Sequence, residues 1–114
     1  MAVERHAVQL AVTMYENRGW DVKDLGTTKS YDLHYTRADG VLRVEVKGTT
    51  SAGAEVILTR NEVSEHRQAH PANALVVVHT IELDRSGAPP IASGGTLAEW
   101  SPWEIPDDSL RTMV

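Results

Sequence analysis

Three residues in the first half of the chain have the types and spacing to do chemistry: Asp32, Glu45 and Lys47. Glu45 and Lys47 lie in Val41-Leu42-Arg43-Val44-Glu45-Val46-Lys47-Gly48, which alternates apolar and charged residues. In a strand this sends Leu42, Val44 and Val46 to one face and Arg43, Glu45 and Lys47 to the other. Asp32 opens a second alternating run, Asp32-Leu33-His34-Tyr35. Two carboxylates beside an amine are the inventory for phosphodiester hydrolysis. Mg2+ prefers oxygen ligands and keeps several waters, so few protein donors suffice. Such an ion neutralises the scissile phosphate and supplies a hydroxide. An amine alongside can orient the attacking water and stabilise developing negative charge. The carbonyl of Val46 is a candidate third ligand. Glu16 is a candidate for a second ion or a metal-bound water, if the first helix packs over the same face.

The same residues also permit a solvated ion-pair face, since cross-strand charge pairs are common in sheets. Other groups have plain readings too. His34 beside Glu45 is either a proton shuttle or a hydrogen-bonded strand histidine. His66 and His70, four apart on a helix, lack a third ligand of fixed spacing and read as a polar helix face. Asn61 and Glu62 read as a helix cap. Arg60 and Arg67 read as surface charge. Trp100 and Trp103 read as tail packing rather than base-stacking platforms.

The positioning elements follow from periodicity. Residues 3–18 form a helix, with Val3, Ala7, Leu10, Ala11 and Met14 on one face and Gly19 ending it. Short strands are predicted at 20–25, 31–36 and 41–47. Asp39-Gly40 between the last two is a hairpin signal. With Asp39 and Gly40 at the central positions, facing residue numbers sum to about 79. That register sets Asp32 against Lys47 and His34 against Glu45. A fourth strand is predicted at 54–58. Thr59-Arg60-Asn61-Glu62 is a capping box opening a helix to about residue 70, which Pro71 stops. The apolar run 74–81 reads as a central strand covered on both faces. From residue 82 on, Gly, Pro and Ser dominate and the tail reads as irregular. The order is helix-strand-strand-strand-strand-helix-strand, an α/β fold with a mixed central sheet.

At 114 residues the chain is one domain, with its core over about 3–81 and its tail over about 82–114. It has no cysteine, which excludes disulfides and thiolate chemistry. No run approaches a membrane span and no secretory signal is legible, so a cytoplasmic protein without membrane contact is expected. The net charge of -5 is unevenly placed. Residues 1–60 hold eight basic and eight acidic residues, and residues 61–114 hold three and eight. The acidity lies away from Asp32, Glu45 and Lys47.

The ordered set Glu16, Asp32 and Glu45-Val46-Lys47 resembles the PD-(D/E)xK nuclease superfamily. There a metal-binding Asp and a Glu-x-Lys lie on adjacent antiparallel strands after a helix that often carries a Glu. Tyr15-Glu16, Gly19-Trp20-Asp21-Val22, Tyr31-Asp32-Leu33, Val44-Glu45-Val46-Lys47-Gly48-Thr49, Leu58-Thr59-Arg60-Asn61-Glu62 and Leu75-Val76-Val77-Val78 resemble one branch. It is the family of the protein NO VEIN C-terminal domain, which has no settled function. The resemblance implies a restriction-endonuclease-like core, Mg2+ or Mn2+ on Asp32 and Glu45, Lys47 as catalytic lysine, and Glu16 as accessory acid. It implies DNA as substrate, and a homodimer or attached helicase or restriction domains as partners. Tyr31 stands where the superfamily has Pro. The reading is a metal-dependent endonuclease-like domain. Two alternatives are a catalytically inactive interaction module of the same fold and a structural protein that dimerises through a sheet edge or its tail.

Overall fold

The computed structural model describes residues 2–24, 32–38, 40–53 and 55–110, with the side chains of 22–24 and 32 outside that description. The chain runs α1 (Ala2–Asn17), β1 (Asp21–Asp24), β2 (Asp32–Arg37), β3 (Gly40–Gly48), α2 (Arg60–Ala69), β4 (Asn73–Asp84), β5 (Ile91–Trp100) and a 3-10 turn (Asp107–Ser109). The strands form one mixed sheet in the order β1-β2-β3-β4-β5. β3 and β4 are parallel, joined through α2, and every other pair is antiparallel.

The sheet is covered on both faces. On one, Ala7, Ala11 and Tyr15 of α1 pack on Leu33, Tyr35, Leu42, Val44, Val46, Ala74, Val76 and Val78. Their spacing of four places them on one stripe of the helix. Gly48 lets α1 approach closely: a Cβ there would lie 2.7 Å from the Ala7 Cβ and 3.0 Å from the Val3 carbonyl oxygen. On the other face, Leu75 and Val77 pack with Trp103 and Ile105, and Val56, Leu58 and Val63 gather around them.

Three expectations are corrected. First, the β2–β3 hairpin pairs Arg37 with Gly40, Leu33 with Val44 and Asp32 with Glu45. The pairing therefore closes at Arg37 and Gly40, and Gly40 is the first residue of β3, with φ +152°. The true register is two residues from the expected one. A shift of two preserves side-chain parity, so the apolar and charged faces survive.

Second, residues 55–58 form no strand. Both edges of β3 are already taken by β2 and β4, and this segment packs the partly buried Val56 and Leu58 against the second apolar cluster without a ladder. Third, the tail beyond residue 82 is not irregular: β4 continues to Asp84 and β5 pairs along it. The Gly94-Gly95 step that hides β5 in the sequence has φ +66° and +98°. It sits opposite Thr80, itself at φ +58°, so the ladder bends there by a local device that alternation cannot show. Of the two tail tryptophans, Trp103 is buried and pins the segment, whereas Trp100 is exposed.

Candidate functional site: a carboxylate–amine cluster on the sheet

Glu45 and Lys47 alternate with Val44 and Val46, and those valines face α1. The charged pair therefore lies on the α2 face of the sheet. The two sides differ sharply in exposure: Glu45 is fully buried, and the Lys47 side chain is 24% exposed.

The parallel neighbour decides how Asp32 and Glu45 meet. Arg43 N–H donates to the Ala72 carbonyl, and Thr49 N–H to the Val78 carbonyl. Odd-numbered residues of β3 thus direct their backbone groups to β4. Asp32 and Glu45 form a non-hydrogen-bonded antiparallel pair, the kind in which Cα atoms approach to about 4.5 Å. The side chain of Asp32 lies outside the described residues. Even-numbered Val46 turns its carbonyl toward β2.

α2 brings two more groups. Thr59 caps it, with Glu62 N–H donating to the Thr59 hydroxyl (3.1 Å) and Thr59 N–H donating to Glu62 Oε1 (2.7 Å). This is the capping box expected from the sequence. The Glu62 carboxylate does more than cap: Lys47 Nζ donates to both its oxygens at 3.2 Å and stands 3.8 Å from Glu45 Oε2. Burial pushes the Glu62 carboxyl up. The Thr59 N–H and the Lys47 ammonium outweigh that and hold it below the usual range.

One turn further on, His66 is fully buried with Nε2 3.3 Å from Glu45 Oε1. Its ring tilts against Trp103 at 4.9 Å. Asn73 Nδ2 donates to the Trp103 carbonyl (2.9 Å) and the His66 carbonyl (3.2 Å), and Asn73 Oδ1 accepts from Trp103 N–H (3.2 Å).

Glu45, Lys47, Glu62 and His66 are brought together, with Asp32 at the facing register position. Glu16 is not among them. It is exposed at the end of α1, which covers the opposite face of the sheet. There the Tyr35 hydroxyl is pushed up by burial and then by the Glu16 charge. The expectation that α1 packs over the Glu45 and Lys47 face is corrected. His34 pairs with Arg43, not Glu45. Arg43 forms an ion pair with Glu65. His70 is exposed while His66 is buried, so the two do not act as a pair. Arg67 donates to the Ile105 carbonyl and to Asp107, tying the 3-10 turn to α2.

Sequence reasoning underrated Glu62 and His66. Their signal was the spacing of four, which places both on one helix face. It could not be used until α2 was known to lie against β3. Among the described residues no group of three or more His, Asp or Glu is placed to hold a metal ion. The donor chemistry nevertheless fits Mg2+. Glu45 offers the hard carboxylate oxygen that Mg2+ prefers, and an ion that retains its waters takes one or two carboxylates.

The elements and the cluster define a three-layer mixed α/β domain whose polar centre is built on the middle strand and the crossover helix. Residues 3–89 match the family model for the protein NO VEIN C-terminal domain, and the chain belongs to that family. The match takes in both helices and β1 through β4, and ends before β5. Comparison with curated proteins and with solved structures gave no match. Among the described residues no helix is long and apolar enough to cross a membrane.

Proposed function

We propose that the chain is a Mg2+- or Mn2+-dependent nuclease-like domain with a PD-(D/E)xK, restriction-endonuclease-like core, hydrolysing DNA phosphodiester bonds. The observation that carries this reading is the register of β2 on β3, which sets Asp32 directly across from Glu45, two residues before Lys47. Asp32 and Glu45 would hold the ion, with the Val46 carbonyl as the remaining candidate donor. When bound, the ion supplies charge neutralisation and an activated water. Lys47 Nζ stands 3.8 Å from Glu45 Oε2. Its role is to orient the attacking water and stabilise the phosphorane-like charge. Glu62 positions Lys47, gripping the ammonium through both oxygens. The α1 side of the sheet contributes apolar support, so Glu16 carries no step.

The domain is expected to rely on an attached helicase or restriction domain, or on a second copy, for target choice. Its own second half is acidic, with three basic and eight acidic residues over 61–114. The test is cleavage of plasmid DNA with Mg2+ or Mn2+. The wild type cleaves, and Asp32→Ala and Lys47→Ala each lose about 100-fold or more, the scale on which single electrostatic stabilisers act. Variants that cut as well as the wild type would refute the assignment.

The closed contact between Lys47 and Glu62 favours a second reading, an inactive binding module in which the cluster is structural. Calorimetry separates the two. A folded wild type that takes up neither Mn2+ nor Mg2+ leaves only the module.

A further inference from the structure

The nuclease-like reading uses one end of the buried cluster and leaves His66 without a role. Its surroundings constrain it tightly. The side chain has no exposure at all. Trp103 forms one wall of its site, its ring tilted 55° from the imidazole. Nδ1 faces Asn73 Nδ2 at 3.5 Å, and Nε2 faces Glu45 Oε1 at 3.3 Å.

The orientation of the Asn73 amide is not open to choice. Oδ1 accepts a backbone N–H from Trp103, and Nδ2 donates to two backbone carbonyls. Nδ1 of His66 thus looks at a group with hydrogens and no lone pair to offer. A proton on Nδ1 would meet a donor head-on. The imidazole proton belongs on Nε2, the nitrogen 3.3 Å from Glu45 Oε1.

We propose that His66 is a positioning residue for Glu45: a neutral imidazole, fixed as the Nε2–H tautomer by Asn73 and walled in by Trp103, that holds Glu45 Oε1. Oε2, the oxygen 3.8 Å from Lys47 Nζ, is left as the one turned to the reacting side. Glu45 then acts as a ligand through a single oxygen whose direction is set from behind. The C-terminal segment that carries Trp103 becomes part of the site, although it lies beyond the residues that match the family. This inference rests on the reading of Glu45 as a metal ligand for its consequence, though not for its geometry.

Two measurements on the whole chain test it. The first is nitrogen-15 NMR of the imidazole at pH 7.5 in the wild type. The expected result is the Nε2–H tautomer with its proton protected from solvent. A proton on Nδ1 overturns the proposal. The second is calorimetric titration with Mn2+. His66→Ala weakens Mn2+ binding about 10- to 100-fold, the usual effect of removing a partner behind a ligand. His66→Gln, whose amide can donate from a similar place, recovers most of the loss. Folded His66→Ala and His66→Gln proteins that bind Mn2+ as tightly as the wild type overturn the proposal. If the wild type binds no Mn2+, the nuclease-like reading fails. The tautomer then still decides whether His66 orients Glu45. Should His66→Ala not fold, His66→Gln and the wild-type spectrum carry the test.

Discussion

Glu62 occupies two local structures at once, and its behaviour with pH follows from both. Its carboxylate accepts the Thr59 N–H that closes the cap and the Lys47 ammonium from the sheet. Burial alone would raise its pKa, but the backbone donor and Lys47 bring it below its ordinary value of 4.5. The folded state therefore binds this proton less tightly than the unfolded chain. The charged form stabilises the fold, fully so above pH 4.5, and this stabilisation is lost as pH falls from 4.5 through the lower folded value. Glu62→Gln should be less stable than the wild type at neutral pH. The gap should narrow on acidification below 4.5. Urea midpoints measured at both conditions check this. A gap that stays constant with pH would show that Glu62 acts by shape alone.

Among the elements, the contact of α1 with β3 is the most exacting. Ala7 and Ala11 bring the helix close to the sheet. Gly48 completes the approach at the end of β3, where any Cβ would meet Ala7 and the Val3 carbonyl. Gly48→Ala should cost about 1–3 kcal/mol as the helix is driven outward. Chemical denaturation measures it. The cluster on the other face should keep its contacts, because α1 and α2 pack on opposite sides of the sheet. The β2–β3 hairpin shows what an element can reveal in advance. The Asp39-Gly40 signal locates the turn, and the alternation locates the two faces. Neither separates registers that differ by two, since both registers bury the same side chains. The choice was settled by Gly40 entering β3, with a φ few residues other than glycine tolerate. The result moves Asp32 from Lys47 to Glu45.

At the scale of the whole molecule, the C-terminal segment is a structural part of the α2 face. Trp103 and Ile105 close the second apolar cluster, Asn73 fastens the backbone of Trp103, and Arg67 holds Ile105 and Asp107. Trp103→Ala should cost about 3–5 kcal/mol, the range for truncating a buried tryptophan. The drop in the urea midpoint reads it. A loss well under 1 kcal/mol would mean that the segment merely rests on the sheet. Exposure, not burial, explains why this part of the tail reads as irregular in the sequence. β5 lines an edge of the sheet with mostly exposed and half-buried residues and carries two glycines of positive φ. It has neither clean alternation nor a β-branched run. Its partner is the extension of β4, itself hidden behind Thr80.

The sequence by itself determined both helices, the capping box, the central strand, and the sharing of one strand face by Glu45 and Lys47. These are properties of periods and caps, which are local and repeat along the chain. Only the tertiary structure decided the register that sets Asp32 against Glu45. It also decided the face that α1 covers, and with it the removal of Glu16 from the cluster. The gathering of Glu62, His66, Asn73 and Trp103 around Glu45 was decided there too. Those contacts join residues up to 37 positions apart, from His66 to Trp103. Which sheet face a helix takes depends on the connection and the packing of both layers, and no spacing within the helix encodes it.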